Sequence, residues 1–182
     1  MIFIKIYGGY DKDKLEFIGK GIHGRVYRIN SNTCIKIFER REFFNKELET
    51  LRMVQNDPHF PRLYSYGDKF IVREYIEGIE LDKYLLKNPL TPEISRKLLD
   101  LYAAIERAGF SRVDTMLFHV FITSEGDFKM IDTARVMKEK CSYPKLILKG
   151  LKELGLKDEF LSHVKQIRPD LHENWVNKGK SR

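Results

Sequence analysis

The sequence predicts an α+β chain in two parts, an antiparallel sheet carrying one helix followed by a mainly helical half. Three observations carry this. Short runs of β-branched and aromatic residues fill 15–38 and 63–74. Between them the period changes: Phe44, Leu48, Leu51 and Met53–Val54 fall on one stripe of a helix. Beyond residue 80 the apolar pattern is helical except for one hairpin. With 182 residues, 42% hydrophobic and 12% aromatic, the chain can bury one core or two small ones, and it is too apolar to be disordered.

Residues 15–18, 25–29 and 33–38 read as strands, the last two joined by the turn Asn30-Ser31-Asn32. The helix over 41–54 ends at Asn56-Asp57-Pro58. Strands follow at 63–66 and 69–74, split by Gly67-Asp68. A short helix is expected over 80–86. Thr91 followed by Pro92 opens the next helix, with Ile94, Leu98, Leu101 and Ile105 on its apolar face and Gly109 as its C-cap. Residues 118–123 and 127–132 read as a hairpin around Ser124-Glu125-Gly126. Two more helices are expected over 143–154 and 157–166, then a polar, frayed end from 174. The expected organisation is a sheet lobe (1–76), a helical lobe (77–175) and a basic flexible tail (176–182).

Composition narrows the functional classes. The net charge is +7, from 33 Lys and Arg against 26 Asp and Glu. Residues 135–182 hold 12 basic and 6 acidic residues, so +6 of the excess sits there and +1 in the rest. That region is either a solvated helix face or a surface for a polyanion or an acidic partner. No apolar run approaches the ~18 residues of a membrane helix. Met1-Ile2-Phe3-Ile4-Lys5 is too soon interrupted for a signal peptide. Cys34 and Cys141 offer neither a disulfide framework nor a zinc spacing, so a cytoplasmic location is expected.

Several residues carry chemistry. Gly19-Lys20-Gly21-Ile22-His23-Gly24-Arg25-Val26 fits G-x-G-x-x-G-x-V. Its glycines lie between two strands, not between a strand and a helix, which argues against a dinucleotide fold. Such a hairpin can lay backbone N–H groups on phosphates, or be an ordinary glycine-rich turn. Lys36 interrupts the apolar strand Cys34-Ile35-Lys36-Ile37-Phe38 and needs either a partner or an edge open to water; Glu47 on the next helix is the natural partner. Asp114 and Asp132 flank the second hairpin. Each alone reads as a turn aspartate; together they can serve as proton acceptor and metal ligand.

The order of these features resembles the protein kinase superfamily over residues 15–135. Ile35-Lys36 resembles the end of the V-A-I-K strand, and Lys46–Leu51 the regulatory helix, with Glu47 pairing the lysine. Val72-Arg73-Glu74-Tyr75-Ile76-Glu77-Gly78 is similar to the hinge whose backbone meets adenine. Arg112-Val113-Asp114 stands at the H-R-D position and Ile131-Asp132-Thr133-Ala134 at the D-F-G position. The departures are Arg112-Val113 for His-Arg, Thr133-Ala134 for Phe-Gly, no A-P-E segment, and His119 where the family has its metal-binding Asn. The likeness is to the compact kinase-like proteins of bacteria and archaea, with a reduced helical lobe.

What the resemblance implies is ATP binding and γ-phosphoryl transfer to a Ser/Thr hydroxyl, as in a serine/threonine kinase. Gly19, Gly21, Gly24 and Val26 would cover the phosphates. Lys36, set by Glu47, would hold them, Glu74 and Ile76 would meet the base, and Asp114 would accept the proton. Asp132 and His119 would take Mg²⁺, or Mn²⁺ given the imidazole. The substrate, a protein or a small molecule, is not specified. The alternatives are a pseudokinase, acting as a nucleotide-binding scaffold, and a small-molecule kinase on the same fold.

Overall fold

The computed structural model describes residues 6–21, 23–110, 114–132 and 141–180. The chain divides into two compact units, residues 1–77 and 78–182.

The first unit opens with a small hairpin, β1 (Ile6–Tyr7) and β2 (Tyr10–Asp11). Gly8 and Gly9, at φ of 57° and 88°, make the tight turn that pairs Tyr7 with Tyr10. A single 3₁₀ turn, Lys12–Lys14, leads into β3 (Glu16–Gly21), β4 (Gly24–Asn30) and β5 (Thr33–Phe38). Next come α1 (Arg41–Met53), β6 (Leu63–Gly67) and β7 (Phe70–Glu74). The five strands β3–β7 form one antiparallel sheet in the order β3-β4-β5-β7-β6.

Register sorts the two faces of that sheet. Opposed residues share a face, and Ile35 stands opposite both Tyr27 and Val72. These three and Phe70 form a buried cluster with Tyr7, Tyr10 and Leu15 packed on it, so the leading hairpin covers this side. The other face carries Cys34, Lys36 and Phe38 toward α1, where the Phe38 and Phe44 rings meet edge to face at 5.8 Å. The apolar stripe expected on α1 is there: Phe44, Leu48 and Leu51 are buried.

The second unit starts with β8 (Gly78–Glu80), α2 (Leu81–Leu85) and α3 (Pro92–Arg107). The Thr91 hydroxyl accepts a hydrogen bond from the Ile94 N–H, the cap read from the sequence. The 3₁₀ turn Leu117–His119 precedes β9 (Val120–Thr123) and β10 (Phe128–Met130), and β8 joins them in a sheet of order β10-β9-β8. Then follow α4 (Lys145–Glu153), α5 (Lys157–Ile167) and α6 (Pro169–Lys180).

The end of the chain corrects one expectation. Residues 174–180, expected as a frayed and flexible tail, are helical through Lys180. The reason is Trp175, only 2% exposed, which packs on the rings of Tyr102 and Phe160. One buried indole offsets the polarity of the residues around it. Among the described residues, no helix is long and apolar enough to cross a membrane.

Candidate functional site

In the first unit, the glycine-rich segment forms the tip of the β3–β4 hairpin, with Gly19 opposite Val26 and Gly21 opposite Gly24. Ile22 lies outside the described residues. The three glycines are not equivalent. A methyl group on Gly24 would run into the Ile37 carbonyl of the next strand, so this glycine is required by the sheet itself. A methyl group on Gly19 would meet nothing within 4 Å, and one on Gly21 only the Gly24 carbonyl oxygen at 3.9 Å. Glycines weaken a strand, and these two answer no packing need. Their open side leaves the backbone at the hairpin tip accessible.

Val26 is the cross-strand partner of Lys36, so the two side chains share the face turned toward α1. Lys36 is 8% exposed and Glu47 2%. Lys36 Nζ donates to Glu47 Oε2 at 2.5 Å, and the ammonium lies 5.0 Å from the centre of the Phe38 ring. The structure therefore joins the two residues expected to pair. At the end of β7, the Glu74 carbonyl accepts from Cys34 Sγ at 3.7 Å and from the Arg73 guanidinium at 3.3 Å. The Glu74 carboxylate takes the Arg62 N–H at 3.1 Å, and Ile76 is buried.

Arg73 is a residue the sequence reading passed over. It is 6% exposed and opposite Cys34, hence on the same face as Lys36, and its Nε has no hydrogen-bond partner among the described residues. The signal was the one that singled out Lys36, a cation within an apolar strand, here after Phe70-Ile71-Val72.

In the second unit, the Ile131 N–H donates to the His119 carbonyl at 3.0 Å, extending the β9–β10 ladder by one rung. This sets His119 Nε2 3.8 Å from Asp132 Oδ2, with each side chain about a quarter exposed (24% and 26%). Among the described residues no group of three His, Cys, Asp or Glu side chains is gathered to hold a metal. The pair fits a divalent ion that arrives with phosphate oxygens and water filling its other positions. The carboxylate suits Mg²⁺ and the imidazole suits Mn²⁺ better.

Asp114 is placed differently from a solvent-facing acceptor. It is 3% exposed, and both its oxygens lie 2.9 Å from the Leu146 N–H, with Ile147 N at 3.4 Å from Oδ1. Cys141 Sγ approaches Oδ2 at 3.9 Å. Pro144 precedes α4 and offers no capping side chain. Asp114 supplies the cap from elsewhere, its negative charge at the positive end of the helix. Arg112, Val113, Thr133 and Ala134, which complete the two motifs, lie outside the described residues.

No protein-family model matches this sequence. A Bacillus subtilis (strain 168) protein named "Putative serine/threonine-protein kinase YrzF" is 25% identical over 134 residues, covering 70% of this chain and 62% of that protein. The chain thus spans somewhat over three fifths of the relative it matches. The crystal structure of a point mutant of the Mycobacterium tuberculosis PknI kinase domain superposes with a TM-score of 0.54 at 17% identity, over 79% of this chain and 64% of that one. The structural likeness concerns the fold, and the sequence likeness runs in the same direction. Together with the glycine hairpin and the buried Lys36–Glu47 pair, they support a protein-kinase-like fold for this chain.

Proposed function

We propose that the chain binds ATP with a divalent cation and transfers the γ-phosphoryl group to a Ser/Thr hydroxyl of a protein. The observation that carries the reading is the buried Lys36–Glu47 ion pair. Two charges taken from water into a sheet–helix interface add little stability, so their presence there is better explained by use than by folding. In this reading Glu47 orients Lys36, and Lys36 binds the α/β-phosphates. The open side of Gly19 and Gly21 admits the phosphate chain to the β3–β4 hairpin, with Gly24 and Val26 shaping its base. Glu74 and Ile76 flank the segment whose backbone would meet the nucleobase. Asp132 and His119 would hold the cation, whose charge neutralises phosphate oxygens. Asp114 takes the hydroxyl proton.

That last role meets a specific obstacle, which favours a second reading. A carboxylate whose two oxygens already accept the backbone N–H groups at the start of α4 is committed to that helix. A chain that keeps the Lys36–Glu47 pair but spends Asp114 on capping α4 would bind nucleotide without turning it over, as a pseudokinase.

One experiment separates the two. The chain is incubated with γ-labelled ATP, casein and either Mg²⁺ or Mn²⁺, beside a thermal-shift titration with the same nucleotide. Transfer to casein that Lys36→Met abolishes supports the enzyme. A thermal shift without transfer in either metal supports the pseudokinase. Neither shift nor transfer rejects nucleotide binding altogether.

A further inference from the structure

We infer that the groove between α4, α5 and the end of α6 is a docking site for an acidic, leucine-bearing segment of a partner protein. The inference is independent of phosphoryl transfer, since it uses none of the residues assigned to the nucleotide. The groove is about 400 Å³ in volume, and Leu148, Leu161 and Val176 contribute to its apolar walls. Lys145, Lys149, Lys152 and Lys157 stand around it. The first three sit at positions i, i+4 and i+7 of α4, so they run along one side of that helix over roughly 10 Å.

Charge complementarity identifies the occupant. Lys149 is paired with Glu153 at 3.7 Å, but Lys145, Lys152 and Lys157 have no ion-pair partner among the described residues. Like charges held this close repel one another, and a partner's carboxylates would relieve that repulsion. The apolar walls between them ask for something a polyanion lacks, an apolar side chain set among the carboxylates. The groove is also formed in advance. Trp175 is buried between Tyr102 and Phe160, and Lys178 Nζ donates to Ser142 Oγ at 2.6 Å, which ties α6 to the segment ahead of α4. Two other anionic partners fit less well. Trp175 is 2% exposed and offers no ring face for a base to stack on. A lipid surface meets projecting apolar side chains, whereas here they line a depression.

The test uses the whole chain and a fluorescein-labelled peptide in which one leucine is flanked on both sides by glutamates, followed by anisotropy. Binding is expected to weaken at least ~10-fold between about 50 and 300 mM salt, with polyglutamate of equal charge at least tenfold weaker than the peptide. Lys145→Glu/Lys152→Glu should cost at least tenfold, while Lys14→Glu/Lys87→Glu, with the same charge change at exposed positions outside the groove, should cost less than threefold. Unchanged melting temperatures in both variants show that the fold is kept. No binding of the peptide, equal binding of polyglutamate, or equal losses in the two double variants overturns the inference. So does tighter binding of a single-stranded oligonucleotide or of phosphatidylserine vesicles, if Lys145→Glu/Lys152→Glu removes it.

Discussion

Lys36 is kept in the sheet by Glu47, so removing either partner strands the other. Lys36→Met should destabilise the chain by about 3–5 kcal/mol, because the Glu47 carboxylate stays buried without its cation. Lys36→Met combined with Glu47→Leu should recover most of that loss in urea unfolding, while neither variant regains nucleotide binding. A double variant no more stable than the single one would show that the pair is not the source of the cost. Asp114 makes the opposite kind of prediction. As the cap of α4, Asp114→Ala should cost about 2 kcal/mol, and Asp114→Asn, which keeps one acceptor, about half of that. A carboxylate whose only work is to accept a proton would leave unfolding unchanged in both. These residues also differ in how they could be read from the sequence. Lys36 and Glu47 announce themselves, since a cation in Cys34-Ile35-Lys36-Ile37-Phe38 demands a partner nearby. The cap does not, because Asp114 and Leu146 are 32 positions apart and only the packing of the second unit joins them.

At the level of elements, the glycine hairpin divides into a structural end and an open end. Gly24→Ala should lower the melting temperature by several degrees, since its methyl group meets backbone that cannot yield. Gly19→Ala should leave melting within a degree or two and weaken nucleotide binding, checked by titration calorimetry. Equal effects at both positions would remove the distinction. The strongly patterned elements were legible: β5 and the N-cap of α3 stand where the residues place them, while the C-cap of α3 is Ala108, with Gly109 one residue beyond it at φ 71°. Three elements were not. The β1–β2 hairpin has strands of two residues, and its one signal is Gly8-Gly9 between two tyrosines. β8 has three residues, the first at the end of the stretch that reads as hinge and the last at the start of the expected short helix, and it is a strand because Ile79 pairs with Ile122 of β9. In α6 a single tryptophan outweighs a polar composition. Trp175→Ala should cost about 3–5 kcal/mol and release the helix, seen as lost far-ultraviolet circular dichroism.

For the molecule as a whole, the division at Glu77 and Gly78 sorts the candidate residues. The glycine hairpin, Lys36, Glu47, Glu74 and Ile76 belong to the first unit, and Asp114, His119 and Asp132 to the second. Nucleotide that binds only the folded chain should stabilise it by about 2.7 kcal/mol at a hundredfold excess over its dissociation constant. Lys36→Met, compared with its own unliganded midpoint, should lose most of that increment. An undiminished increment would take Lys36 out of the phosphate site. The charge of the molecule follows a different division, with most of the excess in residues 135–182 and thus in the second unit. Raising salt should therefore act mainly on what the second unit binds.

Cys34 gives the first unit a built-in clock. Its thiol is 1% exposed, and burial raises its pKa, so little of the reactive thiolate exists near neutral pH while the sheet is closed. Alkylation must then wait for β5 to separate from β7, and its rate, set against that of the less buried Cys141, counts those openings. Since Cys34 lies two residues from Lys36, anything that grips the lysine should slow the clock, and the ratio of rates with and without nucleotide would measure how firmly this half of the chain is held.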